Sequence, residues 1–334
     1  MKDQDGTVLV KQQLPDRLKS IDGVIFDVDG VLLDVTKSFR VVICEAVDLY
    51  AEQILEWDVD TPLLLSSETE LFKRAGRFNN DWVLTQAAVL LYVFKSLLHG
   101  TKQASSLRSL PPSVDEFTTT LSREGGGIDN AEKQVLNECR PSMRRTLSHM
   151  WNQRLIIQLC QELYGGVEWC PQLYGFTPTH VHVEGRAESE PVLIDANKLS
   201  PRLGEIGILT GRTRAEATLA LRRTDLLARI PPQRCITDDD GVHKPDPRAL
   251  WLLLKRMNVR SVVYVGDTLD DLSTVTNYAE WKQSSYPEVF SAMVLTGMGG
   301  ERNRQLYLER GADILAPNVN GLLDYLSSVT GQSK

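Results

Sequence analysis

Cysteine is scarce in this chain, and none of it has metal-ligand spacing. The five thiols, Cys44, Cys139, Cys160, Cys170 and Cys235, are scattered and odd in number, which excludes a zinc cluster or a disulfide framework and suits reduced thiols. Positive charge is not in excess. Lys and Arg number 37 against 44 Asp and Glu, a net charge of −7, so neither nucleic acid nor an anionic membrane is an expected partner. A long hydrophobic run is also missing. The most apolar segment, "WVLTQAAVLLYVF" at 82–94, is about a third too short for a bilayer and reads as a buried helix. The opening "MKDQDGTVLVKQQLP" lacks the apolar core of a secretory signal, so a cytoplasmic protein is expected. No internal repeat is visible.

Apolar residues are plentiful. At 42 % of 334 residues they support a sizeable core, and the length suggests about two domains. Short β-rich runs end in turn residues: "GVIFD" (23–27), "IGILT" (206–210), "RCIT" (234–237), "SVVYVGD" (261–267) and "SAMVLT" (291–296). Near-continuous apolar runs of this length suit strands buried on both faces. Helical patterns separate the later ones, so a doubly wound parallel α/β sheet is expected. Between the first two runs that rhythm stops. Residues 37–195 are mainly helical in pattern and long enough for a second core. Within them, 99–129 is rich in Ser, Thr, Gly and Pro and reads as a long, flexible loop. "HVHVEG" and "EPVLID" read as a β-hairpin that puts His180 and His182 on one face, an exposed face or a metal pair.

Charge collects where the apolar runs end. "VIFDVDGVLLD" carries Asp27 and Asp29, the second run ends in Thr210-Gly211-Arg212, the third is followed by "DDDGVHKPDP" with Lys244, and the fourth by "VGDTLDDL" with Asp267, Asp270 and Asp271. In an open α/β sheet ligands bind beyond the carboxyl ends of the strands. Carboxylates without His or Cys are hard ligands that favour Mg²⁺, and a Lys with a hydroxyl suits phosphate.

Four segments in order, "DVDGV" (27–31), "LTGR" (209–212), "HKPDP" (243–247) and "GDTLDD" (266–271), resemble the motifs of the haloacid dehalogenase (HAD) superfamily, in its phosphoglycolate-phosphatase-like branch. The resemblance implies a Rossmann-like catalytic core from 14–36 and 196–334, with 37–195 as an inserted helical C1-type cap. It implies a Mg²⁺-dependent phosphatase acting on a small phosphorylated metabolite through an aspartyl-phosphate. Asp27 would be the nucleophile and Asp29 the general acid and base. Thr210 and Gly211 would hold phosphoryl oxygens, and Lys244 would balance charge. Asp27, Asp29 (through its main-chain carbonyl), Asp267 and Asp271 would hold the metal, with Asp271 alternatively orienting Lys244 and Asp270 its competitor as the second acid of the fourth motif. A second acid two residues after the nucleophile favours phosphoryl transfer over dehalogenation.

Substrate contacts are expected from the inserted region. In "KRAGRFNNDWVLT" (73–85), Arg74, Arg77, Asn79, Asn80, Asp81 and Trp82 place polar and aromatic groups before a helix; Arg77, Asn80 and Trp82 are the candidate contacts, against a reading in which Asp81 caps the helix and Trp82 is core. Arg212 fits either a second anionic group of the substrate or a nearby acid. A phosphomutase on the same scaffold and a non-catalytic binding protein remain as other readings, and self-association stays open.

Overall fold

The computed structural model describes residues 8–330, apart from Asn79, Glu188 and Met298. The chain divides into two compact units, Met1–Val35 with Pro191–Lys334, and Thr36–Glu190.

The first unit is built on a seven-stranded sheet. Its strands are β1 (Leu9–Val10), β2 (Gly23–Phe26), β3 (Glu205–Leu209), β4 (Cys235–Ile236), β5 (Ser261–Gly266), β6 (Glu288–Val294) and β7 (Ile314–Ala316), in the spatial order β1-β7-β6-β5-β2-β3-β4. All pairs are parallel except β1 with β7. The period-2 pleat divides the apolar runs between two faces. Val24, Phe26, Val263, Val265 and Ile208 pack on one side with Ala220 and Leu221 and with Leu322, Leu323 and Leu326 of the last helix. Ile25, Leu209, Val262 and Tyr264 pack on the other with Leu250, Leu253 and Leu254. With a core on both faces, the central strands have no polar side to show, which is why they read as continuous apolar runs. The two strands at one end of the sheet escape the sequence reading. β1 and β7 span only two and three residues, too few for a periodic signal. Residues 191–195, expected in the helical insertion, belong to the sheet unit: the Leu193 amide donates to the Leu32 carbonyl (2.9 Å) and the Asp195 amide to Asn320 Oδ1 (2.8 Å).

The second unit is helical. Its main helices are Phe39–Leu49, Ser66–Ala75, Asp81–His99, Val114–Arg123, Ile128–Glu138, Pro141–Met150 and Gln153–Leu173. By length and composition Asp81–His99 could cross a membrane, but 78 % of its apolar window is buried inside the protein. It extends well past the apolar run 82–94. The flexible loop expected over 99–129 is instead two helices, Ala104–Ser109 and Val114–Arg123, and the approach to a third. Ser113 and Glu116 form a reciprocal cap, and Val114, Phe117, Thr118 and Leu121 bury one stripe. Of the Ser and Thr residues that suggested a loop, Ser113 caps this helix, Thr119 and Thr120 lie on its exposed face, and the buried Thr118 hydroxyl donates to the Val114 carbonyl. Among the described residues the expected hairpin does not form either. The buried Glu162 carboxylate accepts the amides of His180 (2.7 Å) and Val181 (2.9 Å), so these amides are spent on a side chain and not on a strand partner. His180 and His182 belong to no cluster of metal-type ligands among the described residues.

Candidate active site

β2 lies between β5 and β3, so the chain leaves it toward both sides of the sheet and a crevice opens beyond its carboxyl end. Asp27 is the first residue past β2. Its amide donates to the Val265 carbonyl (2.9 Å), continuing the ladder by one residue, and its side chain is 5 % exposed. The Val28 amide donates to Asp27 Oδ1 (2.7 Å), and Lys244 Nζ lies 2.8 Å from Oδ2. Burial pushes the Asp27 carboxyl up to about 7 against the pull of Lys244.

Lys244, on the loop after β4, is also buried. Its ammonium donates to Asp271 Oδ1 at 2.6 Å. Burial alone would lower its pKa, but Asp27 and Asp271 hold it well above the ordinary value. Asp271 is fully buried in the first turn of the helix Leu269–Trp281. Tyr264 Oη (2.8 Å) joins Lys244 on its Oδ1, and Oδ2 accepts the amides of Asp267 (3.1 Å) and Thr268 (2.9 Å) and the Thr268 hydroxyl (2.7 Å). Burial works against its charge, and these donors hold its pKa below the usual carboxylate value. Five donors occupy both of its oxygens. Of the two roles open to Asp271, the geometry therefore supports orienting Lys244 rather than binding a metal. Asp270, one residue away, has an intermediate exposure.

Oxygens of Asp27, Asp267 and Asp271 fall within 4.8 Å of one another. With Asp271 committed to Lys244, Asp27 and Asp267 are the carboxylates of this group left to offer oxygens, which suit a hard cation. Asp267 is fitted closely: a Cβ on Gly30 would stand 2.1 Å from its Oδ2, and one on Gly297 1.9 Å from the same atom. Gly30 also has φ +71°, which favours glycine on its own account. The Thr296 hydroxyl donates to the Gly30 carbonyl, and Tyr307 Oη to the Asp267 carbonyl. Residues Thr296, Gly297 and Tyr307, together with Tyr264, were missed from sequence. Tyr264 reads as one more strand residue, and the others follow β6, where no charge marks the strand end.

Thr210 is held at the end of β3 by its amide bond to the Ile236 carbonyl (3.0 Å), and its hydroxyl accepts the Arg212 amide (3.2 Å). Gly211 follows it. Arg212 is buried and pairs with Asp29, Nε and Nη2 both 2.7 Å from Oδ1; of its two sequence readings, the structure displays the partner acid.

Arg77, Asn80 and Trp82 lie in the helical unit. Arg77 has φ +60° in the turn before the helix. The cap of that helix is Asn80 and not Asp81: Asn80 Oδ1 accepts the amides of Trp82 (2.9 Å) and Val83 (3.3 Å). Asp81 pairs with Lys73 at 2.6 Å. Trp82 is core, its ring 5.2 Å from Phe39 and 6.1 Å from Tyr164. Asn79 lies outside the described residues.

A family model described as haloacid dehalogenase-like hydrolase matches residues 21–276, more than half the chain. The protein belongs to that family. Among solved structures it is similar to the phosphatase Tt82 from Thermococcus thioreducens, 22 % identical with a TM-score of 0.57, over 92 % of this chain and 99 % of the other. It is also similar to a HAD hydrolase of family IA, variant 3, from Entamoeba histolytica, 12 % identical with a TM-score of 0.46, over 92 % and 100 %. At such identities the first likeness speaks for the fold alone. A curated relative, imidazoleglycerol-phosphate dehydratase from Phytophthora nicotianae, is 22 % identical over 94 % of this chain. The chain spans about half of that relative's length, 54 %.

Proposed function

We propose that this HAD-family chain is a phosphatase that hydrolyses a small phosphate monoester through an aspartyl-phosphate on Asp27. One observation supports it above the rest: Asp27 is a buried carboxylate pressed against a buried ammonium, at the carboxyl end of β2. Such a group is held for chemistry, because burying it costs stability. In the forward step an oxygen of Asp27 attacks phosphorus. The bond from phosphorus to the leaving oxygen breaks, its electron pair stays on that oxygen, and Asp29 supplies the proton. Water then attacks the aspartyl-phosphate, Asp29 takes its proton, and the electron pair returns to Asp27 as phosphate leaves. Lys244 offsets the negative charge gathered around phosphorus, and Asp271 with Tyr264 fixes where its ammonium points. The Thr210 hydroxyl and Gly211 amide hydrogen-bond phosphoryl oxygens.

The all-oxygen donors fit a Mg²⁺ held by Asp27, Asp267 and the Asp29 carbonyl, which would add charge neutralisation at the phosphoryl group. The test is phosphate release from a generic aryl phosphate and a panel of alkyl phosphate monoesters, with and without EDTA. The panel includes phosphoglycolate, sugar phosphates and an imidazole-bearing phosphate ester, the last because of the name of the curated relative. Metal-dependent release is expected. Full turnover after thorough chelation would overturn the metal's part, and no release from any monoester would overturn the phosphatase reading.

A further inference from the structure

Arg212 stands out among the charged groups of the sheet unit. Its side chain is 1 % exposed, while its partner Asp29 remains 29 % exposed. Burying a guanidinium is costly, so it requires a compensating partner, and here that partner is the acid assigned to move protons. The arrangement is uneven. An Arg–carboxylate pair commonly uses two parallel bonds, one to each oxygen. Here Nε and Nη2 converge on Oδ1 alone, each at 2.7 Å. A carboxylic acid protonated on Oδ2 still offers Oδ1 as an acceptor. The same grip can therefore persist whether Asp29 carries the proton or has delivered it, whereas a fork-to-fork pair would lose one of its bonds.

Arg212 is itself anchored. Its amide donates to the Thr210 hydroxyl (3.2 Å), and its carbonyl accepts the Asp238 amide (2.9 Å). It sits one residue before Thr213, which caps the helix Arg214–Arg223 reciprocally with Glu216. The guanidinium is thus carried on backbone fixed from both sides, and Asp29, which is partly exposed and follows the strand by three residues, is the member in need of restraint.

We propose that Arg212 is a positioning residue for Asp29: its buried guanidinium holds Oδ1 and so fixes where the carboxyl group points. This rests on the phosphatase reading above.

The experiment compares Arg212→Lys, Arg212→Ala and Asp29→Asn on an alkyl phosphate and an aryl phosphate. An alkoxide is a poor leaving group that needs the proton, and a nitrophenolate needs it far less. Positioned acid–base catalysis is worth about 10²–10⁴-fold; because hydrolysis of the aspartyl-phosphate is common to both esters, the leaving-group effect is read in kcat/KM, which Arg212→Ala is expected to lower by about a hundredfold on the alkyl ester and by about tenfold or less on the aryl ester. Guanidinium ion added to Arg212→Ala should restore part of the alkyl activity. The double variant with Asp29→Asn should be scarcely worse than Asp29→Asn alone, because both changes remove one function. Equal losses of kcat/KM on both esters, or multiplicative losses in the double variant, would each overturn the proposal. Wild-type turnover of the alkyl ester is the separate check on the phosphatase reading, so the two can fail independently. Arg212→Lys, which keeps charge but not the paired donors, guards against a folding artefact: with an unchanged melting temperature it should show the same leaving-group pattern.

Discussion

Replacing Lys244 by methionine would remove the ammonium between Asp27 (2.8 Å) and Asp271 (2.6 Å) and leave two buried carboxylates facing each other. Losing one partner of a buried ion pair costs about 3–5 kcal/mol, so Lys244→Met should both stop turnover and lower stability, read in urea unfolding at pH 7. Unchanged stability would mean that the three groups are more hydrated than their burial implies. At this scale the sequence was informative. Asp27, Asp29, Lys244 and Asp267 are legible as candidates because charge directly after an apolar strand is unusual, and the structure places Lys244 against Asp27 and brings an oxygen of Asp267 within 4.8 Å of one of Asp27. The partners that orient them do not. Tyr264 and Tyr307 reach Asp271 and Asp267 through hydroxyl groups whose use depends on packing, and nothing in "VVYVG" distinguishes a working hydroxyl from a core ring.

Among the elements, the helix Asp81–His99 and the loop after β6 make the sharpest claims. Lys95 is buried in that apolar helix, its ammonium 5.3 Å over the Tyr92 ring, and burial lowers its pKa from 10.5 to about 8. In the unfolded chain the group keeps its proton to higher pH. Between about 8 and 10.5 the unfolded state therefore binds more protons, and this group's contribution makes stability rise with pH. Lys95→Met should flatten that rise and stabilise the protein at pH 7 by about 1–4 kcal/mol, seen as a higher melting temperature. A lower one would show that the ammonium is needed. Asn80→Ala should cost about 1 kcal/mol through the lost cap. If Asn80 only caps, kcat/KM on alkyl and aryl phosphates should change by the same small factor; a selective loss on the alkyl ester would restore it as a substrate contact. Gly297→Ala places a methyl 1.9 Å from Asp267 Oδ2. Disturbing the support of a metal ligand costs about 10–100-fold in affinity, so the proposed role of Asp267 predicts a loss of that size in calorimetric titration with Mg²⁺. Equal Mg²⁺ affinity would separate the loop after β6 from the metal site. Element reading from sequence failed in two places for one physical reason. In 99–129 and in "HVHVEG", polar side chains answer backbone groups: Ser113 and Glu116 cap a helix, and Glu162 takes strand-like amides. Composition records those residues as loop or strand because it cannot see whom they bond.

For the molecule as a whole, buried strands on both faces and strand–helix alternation were enough to foresee a parallel sheet, but not its β1–β7 end, since β1 and β7 are held by neighbours and not by their own two or three residues. The central claim is that Asp27 carries the phosphoryl group. It is tested most directly by quenching the full-length protein in acid during turnover of an alkyl phosphate with Mg²⁺, reducing the acyl phosphate with borohydride and sequencing the peptides by mass spectrometry. The account predicts homoserine at position 27 in the wild type and none in Asp27→Asn. Reduction at any other carboxylate, or steady phosphate release by Asp27→Asn, would contradict it.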